Sequence, residues 1–204
     1  MGHKFAEIAF TPTVKAMQEQ SGSRSNYARM EGGEPRNDRL GPREAGFIGE
    51  RDSFYMASVS ETGWPYMQHR GGPQGFVRVL DEKTLGFADF RGNRQYVSVG
   101  NIMKDDRVSL FFMDYANRTR LKLLGRAKLV EVSDGETLER LKVPGYRAAI
   151  ERGFLITVEA FDWNCPQHIT QRYSLGDVEQ ATESLRHRVT ELETELASLR
   201  APGA

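Results

Sequence analysis

The sequence predicts a mainly β fold, a closed or nearly closed antiparallel barrel of six or seven strands with flanking helices, followed by a coiled-coil-like helix at the C-terminus. Three observations predict it. Short strand-like runs bounded by turn residues recur between residues 54 and 163, only two small helical segments interrupt them, and beyond residue 176 the apolar residues change to heptad spacing. A two-sheet sandwich is the alternative for the same strands. The chain divides accordingly into an N-terminal helix and irregular arm (1–45), the barrel (46–175) and the tail helix (176–204).

Each element has a local reason. Thr11 before Pro12 is a helix N-cap with proline at the first helical position, so a helix runs to about Gln20. Residues 20–45 are rich in Gly, Pro, Ser, Asn and charge, which predicts an irregular arm. FYMASVS from residue 54 and WPYMQ after the Glu61-Thr62-Gly63 turn form a hairpin. FVRVL and TLGFADF, joined by a DEK turn, form a second pair. Residues 92–104 suit a helix. RVSLFFMDY and TRLKLLGRAKLVEV are two more strands, with Gly125 as bulge or bend, and FLITVEAFDW (154–163) is the last. Ser133 and Glu136 form a capping box for a short helix that Val143-Pro144 ends.

In the tail, Val178, Leu185, Val189, Leu192, Leu196 and Leu199 alternate as d and a residues, with Thr182 in the first a slot. Arg188 with Glu193, and Glu195 with Arg200, occupy g and e positions of opposite sign, so two copies can pair in parallel without repulsion. An antiparallel pair, or one amphipathic helix lying on the domain's own surface, is the alternative.

Composition narrows the function classes. The 204 residues carry 28 Lys plus Arg against 28 Asp plus Glu, so net charge gives no reason to expect nucleic-acid binding. At 39% hydrophobic and 27% charged the chain can bury a core, yet no run approaches the roughly 18 apolar residues of a membrane span. The N-terminus lacks a secretory apolar stretch and Cys165 is a lone cysteine, which together predict a cytoplasmic protein. Cys165 is read as a small packed residue without redox chemistry. The four histidines stand apart and no CxxC occurs, so no metal site is expected. Rossmann, P-loop and nucleophile-elbow motifs are missing.

What remains is a group of guanidinium and small residues: Arg70 in HRGG, Arg78, and FADFRGNR at 87–94. A strand ending in a Gly-Asn-Arg turn that opens a helix presents free backbone N–H groups with Arg94 beside them, which suits a phosphate dianion. Arg78, on the neighbouring strand, reaches the same anion if its side chain faces that way. The plainer alternative is that these arginines solvate a barrel rim.

The stretch LDEKTLGFADFRGNRQYVSVGNIMKDDRVSLFF resembles the pyridoxamine 5'-phosphate oxidase-like, FMN-binding split barrels, and FDWNCPQHITQRY (161–173) resembles a subgroup of uncharacterised flavin-nucleotide-binding proteins among them. The resemblance spans residues 45–175. It implies FMN as cofactor, with Arg78, Asn93 and Arg94 on the phosphate and Gly92 where the family commonly has serine. It implies that Phe87, Ala88 and Asp89 lie along the flavin and that Gly75, Phe76 and Val77 face its pyrimidine edge. The role of the family's second phosphate arginine falls to Arg70, to Gln68 or to neither. It further implies a homodimer with flavin sites at the subunit interface, where the partner supplies Arg120, Trp163 and Arg172, with Gln167 as an extra amide donor.

The function so implied is an FMN-dependent oxidoreductase with a small-molecule substrate, using hydride transfer at flavin N5. Catalytic residues are not assigned. Pyridoxamine 5'-phosphate oxidase activity itself is not expected, because NCPQHITQ replaces the family oxidase's Arg-His pair. The alternatives are a flavin carrier without turnover, and a split barrel that binds haem or a deazaflavin.

Overall fold

A computed structural model describes residues 2–163 and 166–200; Cys165, expected as an inert packed thiol, lies outside them. The elements in chain order begin with β1 (Gly2–His3), α1 (Lys4–Ala9), α2 (Pro12–Gln20), α3 (Arg24–Ala28), β2 (Pro35–Arg36) and α4 (Pro42–Gly49). The barrel strands follow: β3 (Ser53–Val59), β4 (Pro65–Gly71), β5 (Arg78–Val79), β6 (Thr84–Phe90), then α5 (Val97–Lys104), β7 (Arg107–Asp114), β8 (Thr119–Val130), α6 (Gly135–Leu141) and β9 (Ile150–Trp163). The tail is α7 (Leu175–Arg200).

Seven strands form one antiparallel sheet in the order β4-β3-β7-β8-β9-β6-β5, the split-barrel architecture with its two edges left unpaired. The chain separates into two compact units, one holding the residues up to Asp114 together with Thr119–Pro166, the other Tyr115–Arg118 and the chain from Gln167 on. The first contains the arm as well as all seven strands of the sheet.

Period-2 alternation sets the core. Phe54 and Met56 on β3, Leu110 and Phe112 on β7, Leu121 and Leu123 on β8, and Phe154 and Ile156 on β9 are almost wholly buried. Phe54 stacks on Phe112 at 5.0 Å and meets Phe87 edge-on at 5.2 Å, while Phe87 stacks on Phe154 at 4.9 Å, so aromatic rings span the barrel interior. Burial of each such ring stabilises by about 1.5–3 kcal/mol over exposure. Gly125 marks the irregularity in the long β8–β9 pair, where a Cβ would stand 2.6 Å from the Thr157 carbonyl oxygen; only glycine fits.

Several boundaries differ from expectation, each for a local reason. The arm is not wholly irregular: β2 pairs in parallel with β1, and α1 packs against β9. FVRVL supplies only the two-residue β5, since Phe76 and Val77 before it enter the core instead of a ladder. The helix expected from residue 92 starts at Val97, because Arg94 and Tyr96 adopt φ of 60° and 55° and break the right-handed path. α6 is capped by Asp134, whose carboxylate accepts from the Thr137 N–H at 3.1 Å, and not by Ser133. Ser174 and Asp177 cap α7 reciprocally, which starts that helix three residues ahead of the first expected heptad position.

Candidate functional site

Opposed residues in an antiparallel pair share a face, and this places charge inside the barrel mouth. Gln68 and Arg70 on β4 lie opposite Met56 and Phe54, so they point to the core side of the sheet. Asp89 on β6 lies opposite Arg152 on β9 and follows Phe87, which lies opposite Phe154. At the end of the barrel these side chains converge. Arg70 Nη1 bonds Asp89 Oδ1 at 2.7 Å, joining β4 to β6 although four strands separate them in the sheet order. Arg152 Nε stands 3.5 Å from the second Asp89 oxygen. Ser98 Oγ on α5 donates to Gln68 Oε1 at 2.9 Å.

A second tier surrounds them. Glu151 receives Arg91 at 3.6 Å, Arg94 at 3.8 Å, Arg152 at 3.7 Å and the Tyr96 hydroxyl at 3.3 Å. Four guanidinium groups thus face two carboxylates, which leaves an excess of two positive charges at the mouth. Burial lowers the pKa of Arg70 and raises that of Asp89, outweighing their mutual attraction in both cases. Arg70 Nε and Arg152 Nε are buried with no hydrogen-bond partner. A buried donor left unpaired is costly, and an anion entering here would supply the acceptor.

Two adjoining cavities open at this place, of about 200 Å³ beside Arg94 and Ser98 and about 170 Å³ beside Phe76 and Phe87; Gln68, Arg70, Asp89 and Phe90 line both. The segment 91–96 forms one wall. Asn93 Oδ1 accepts from the Gln95 N–H at 3.2 Å, the positive-φ residues open the backbone, and α5 begins just beyond without a side-chain cap. A Cβ on Gly92 would meet nothing closer than the Phe90 carbonyl at 4.0 Å, so the position has room for a side chain.

Of the residues singled out in the sequence, Arg70, Asp89, Gly92, Asn93 and Arg94 line the first cavity, and Phe76, Phe87 and Ala88 line the second. Gly75 is a turn residue with φ 76°, and Val77 is buried in the core, so its side chain is committed to packing. Arg78 departs from expectation: it lies opposite Gly86, and its guanidinium donates to the Lys142 carbonyl at 3.0 Å, away from the Arg94 cavity. Of the two, Arg70 lines the cavity beside Arg94. Arg120 lies opposite Met113 on the outer side of the sheet, its Nε buried without a partner and its guanidinium 5.9 Å from the Phe111 ring.

Trp163, expected against a partner's flavin, is held by α4 of its own chain. Its indole N–H donates to Glu44 at 2.8 Å, Phe47 meets it edge-on at 4.8 Å, and Arg43 stands 4.3 Å over its ring. Gln167 and Arg172 belong to the second compact unit, in which Arg172 stacks 5.0 Å over Tyr115. Sequence inspection missed Glu151, Arg152, Tyr96 and Ser98. Alternation along β9 from Phe154 would have turned Arg152 inward; nothing local marks the others.

Among the described residues no cluster of three His, Cys, Asp or Glu side chains is placed to hold a metal ion, and no helix is long and apolar enough to cross a membrane. No curated protein matches the chain. Among solved structures it is similar to a putative pyridoxamine 5'-phosphate oxidase from Lactobacillus delbrueckii, with 19% identity, a TM-score of 0.47, and 61% of this chain and 94% of that one covered. It is similar also to HupZ of Group A Streptococcus, with 14% identity, a TM-score of 0.47 and coverage of 61% and 99%. A third similar structure is a protein from Clostridium acetobutylicum related to a general stress protein, with 15% identity, a TM-score of 0.44 and coverage of 67% and 94%. The family model described as pyridoxamine 5'-phosphate oxidase matches residues 40–161, which include every barrel strand except the last two residues of β9 and leave out residues 1–39 and the tail. The chain belongs to the pyridoxamine 5'-phosphate oxidase family.

Proposed function

We propose that the protein binds FMN and works as a flavin-dependent oxidoreductase on a small molecule. The observation that carries this is the excess of two positive charges at the barrel mouth, beside a buried guanidinium with an unpaired donor. The residues fit the phosphate. Arg70 and Arg94 supply charge, Asn93 and the open backbone of 91–96 supply donors, and Ser98 can turn its hydroxyl from Gln68 to the ester. The ring system would lie along Phe87 and Ala88, where the second cavity opens. FMN would supply the capacity to accept a hydride at N5.

Neither cavity alone reaches the roughly 300–1,000 Å³ of a drug-sized ligand pocket. That shortfall supports a site completed by a second copy of the chain. The outer face of β3, β4, β7 and β8 carries Tyr55, Met67, Phe111, Met113 and Leu124, an apolar surface suited to such a partner. Arg120 projects on the same face, and in a dimer its guanidinium would serve the partner's flavin. There a positive charge near N1 and O2 would favour the reduced anion.

Identification of the copurifying ligand tests the proposal. The purified protein should be yellow and should release FMN on denaturation, as read by absorbance and mass spectrometry. A Soret band, a deazaflavin, or a colourless protein that leaves added FMN unbound would overturn it. Reduction of the bound flavin by NADH or NADPH without oxygen separates an enzyme from a carrier.

A further inference from the structure

We propose that α7 pairs with α7 of a second copy of this chain as a parallel two-stranded coiled coil. The inference is independent of the flavin. The helix spans Leu175–Arg200, about 39 Å at the α-helical rise of about 1.5 Å per residue, and carries one apolar seam. Leu175, Thr182, Val189 and Leu196 fall at a, and Val178, Leu185, Leu192 and Leu199 at d. Among the described residues the seven apolar members of the seam are each between 41% and 83% exposed. β-branched residues in the two central a layers with leucine at the three later d layers are the combination that favours two strands. The polar layer adds no unpaired donor, because Thr182 Oγ1 donates to the Val178 carbonyl of its own helix at 2.7 Å.

Charge selects the orientation. In a parallel pair each g residue faces the e residue five positions on in the partner, so Arg188 meets Glu193, twice over by symmetry. In the antiparallel register that overlaps the whole seam, Leu175 opposite Leu199, Arg186 would meet Arg186, Arg188 would meet Arg188 and Glu179 would meet Glu193. Every flanking contact formed by two charged residues near the centre would then be repulsive. The partner that fits is therefore a second copy aligned head to head.

Cysteine crosslinking in the full-length chain, with Cys165→Ser as background, tests the orientation. Leu196→Cys at an a position should form an interchain disulfide at least about tenfold faster than Thr194→Cys on the opposite face, because pairing raises the local thiol concentration. Arg188→Glu should slow that reaction, and adding Glu193→Arg should restore it. Equal rates at 196 and 194 would overturn the proposal. So would faster linkage in a mixture of Val178→Cys and Leu196→Cys chains than in Leu196→Cys alone, since that is the antiparallel signature.

Discussion

Arg70 ties β4 to β6 across the open side of the barrel, and replacing it with methionine isolates that contribution. Its guanidinium lies 2.7 Å from Asp89, with side chains only 13% and 11% exposed, while Arg152 stands 3.5 Å from the other carboxylate oxygen. Removing one partner of a buried pair costs about 3–5 kcal/mol, and the remaining Arg152 contact puts the expected loss near 3 kcal/mol. Against a total stability of about 5–15 kcal/mol this is large. The loss should depend on pH. Burial already holds the Asp89 pKa above its ordinary value, despite both arginines. A carboxyl raised in the folded state binds more protons folded than unfolded between its two pKa values, so its contribution to stability falls as pH rises through that window. Arg70→Met extends the window upward. The destabilisation should therefore be greatest near neutral pH and shrink as pH falls toward and below about 4, the ordinary Asp pKa, where the carboxyl becomes protonated first in the folded and then in the unfolded state. Adding Asp89→Asn removes the orphaned charge and should recover about 2 kcal/mol. Urea unfolding followed by far-ultraviolet circular dichroism reads both variants against the unmodified protein. A loss below about 0.5 kcal/mol, or one identical at about pH 7 and about pH 4.5, would refute the view that a buried ion pair closes the barrel mouth.

Other substitutions probe the site and scaffold separately. Arg94→Ala should leave the unfolding midpoint unchanged, since that side chain is more than half exposed, but should weaken FMN binding about tenfold in a fluorescence titration, the share of one charge-assisted hydrogen bond. Gly92→Ser should be tolerated and should bind FMN more tightly, because the position has room and gains a hydroxyl donor; weaker binding would place the phosphate elsewhere. Gly125→Ala should cost about 1–3 kcal/mol, as its new methyl meets the Thr157 carbonyl, and denaturant unfolding checks this. Phe54→Ala, which empties the centre of the aromatic core, should cost about 3–5 kcal/mol by the same measurement.

The strands were legible in the sequence because half-buried strands alternate and their turns are marked: Gly63 with φ 83° closes the first hairpin and Gly125 bends the longest pair. The site was legible only where chemistry and chain proximity coincide. Asn93 and Arg94 share one turn, and that turn lines the cavity. The long-range half was harder to see. The choice between Arg70 and Arg78 depends on which face each strand turns inward, and Arg78 is taken up by the Lys142 carbonyl, 64 residues away. Glu151 and Arg152 come from a strand far along the chain, and no motif announces them. The Trp163 indole shows the same limit in reverse, since its bond to Glu44 crosses 119 residues and draws on a helix that local pattern left within an irregular arm.

The proposed role of the surplus guanidinium charge at the barrel mouth is to hold a phosphate dianion. Parallel titrations of ligand-free protein with FMN and with riboflavin, which lacks only the phosphate, test it most directly by quenching of flavin fluorescence. FMN should bind about a hundredfold tighter or more, equivalent to about 2.7 kcal/mol, and the gap should close in the Arg70→Met, Arg94→Ala double variant. Equal affinity for the two flavins in the unmodified protein would contradict the claim.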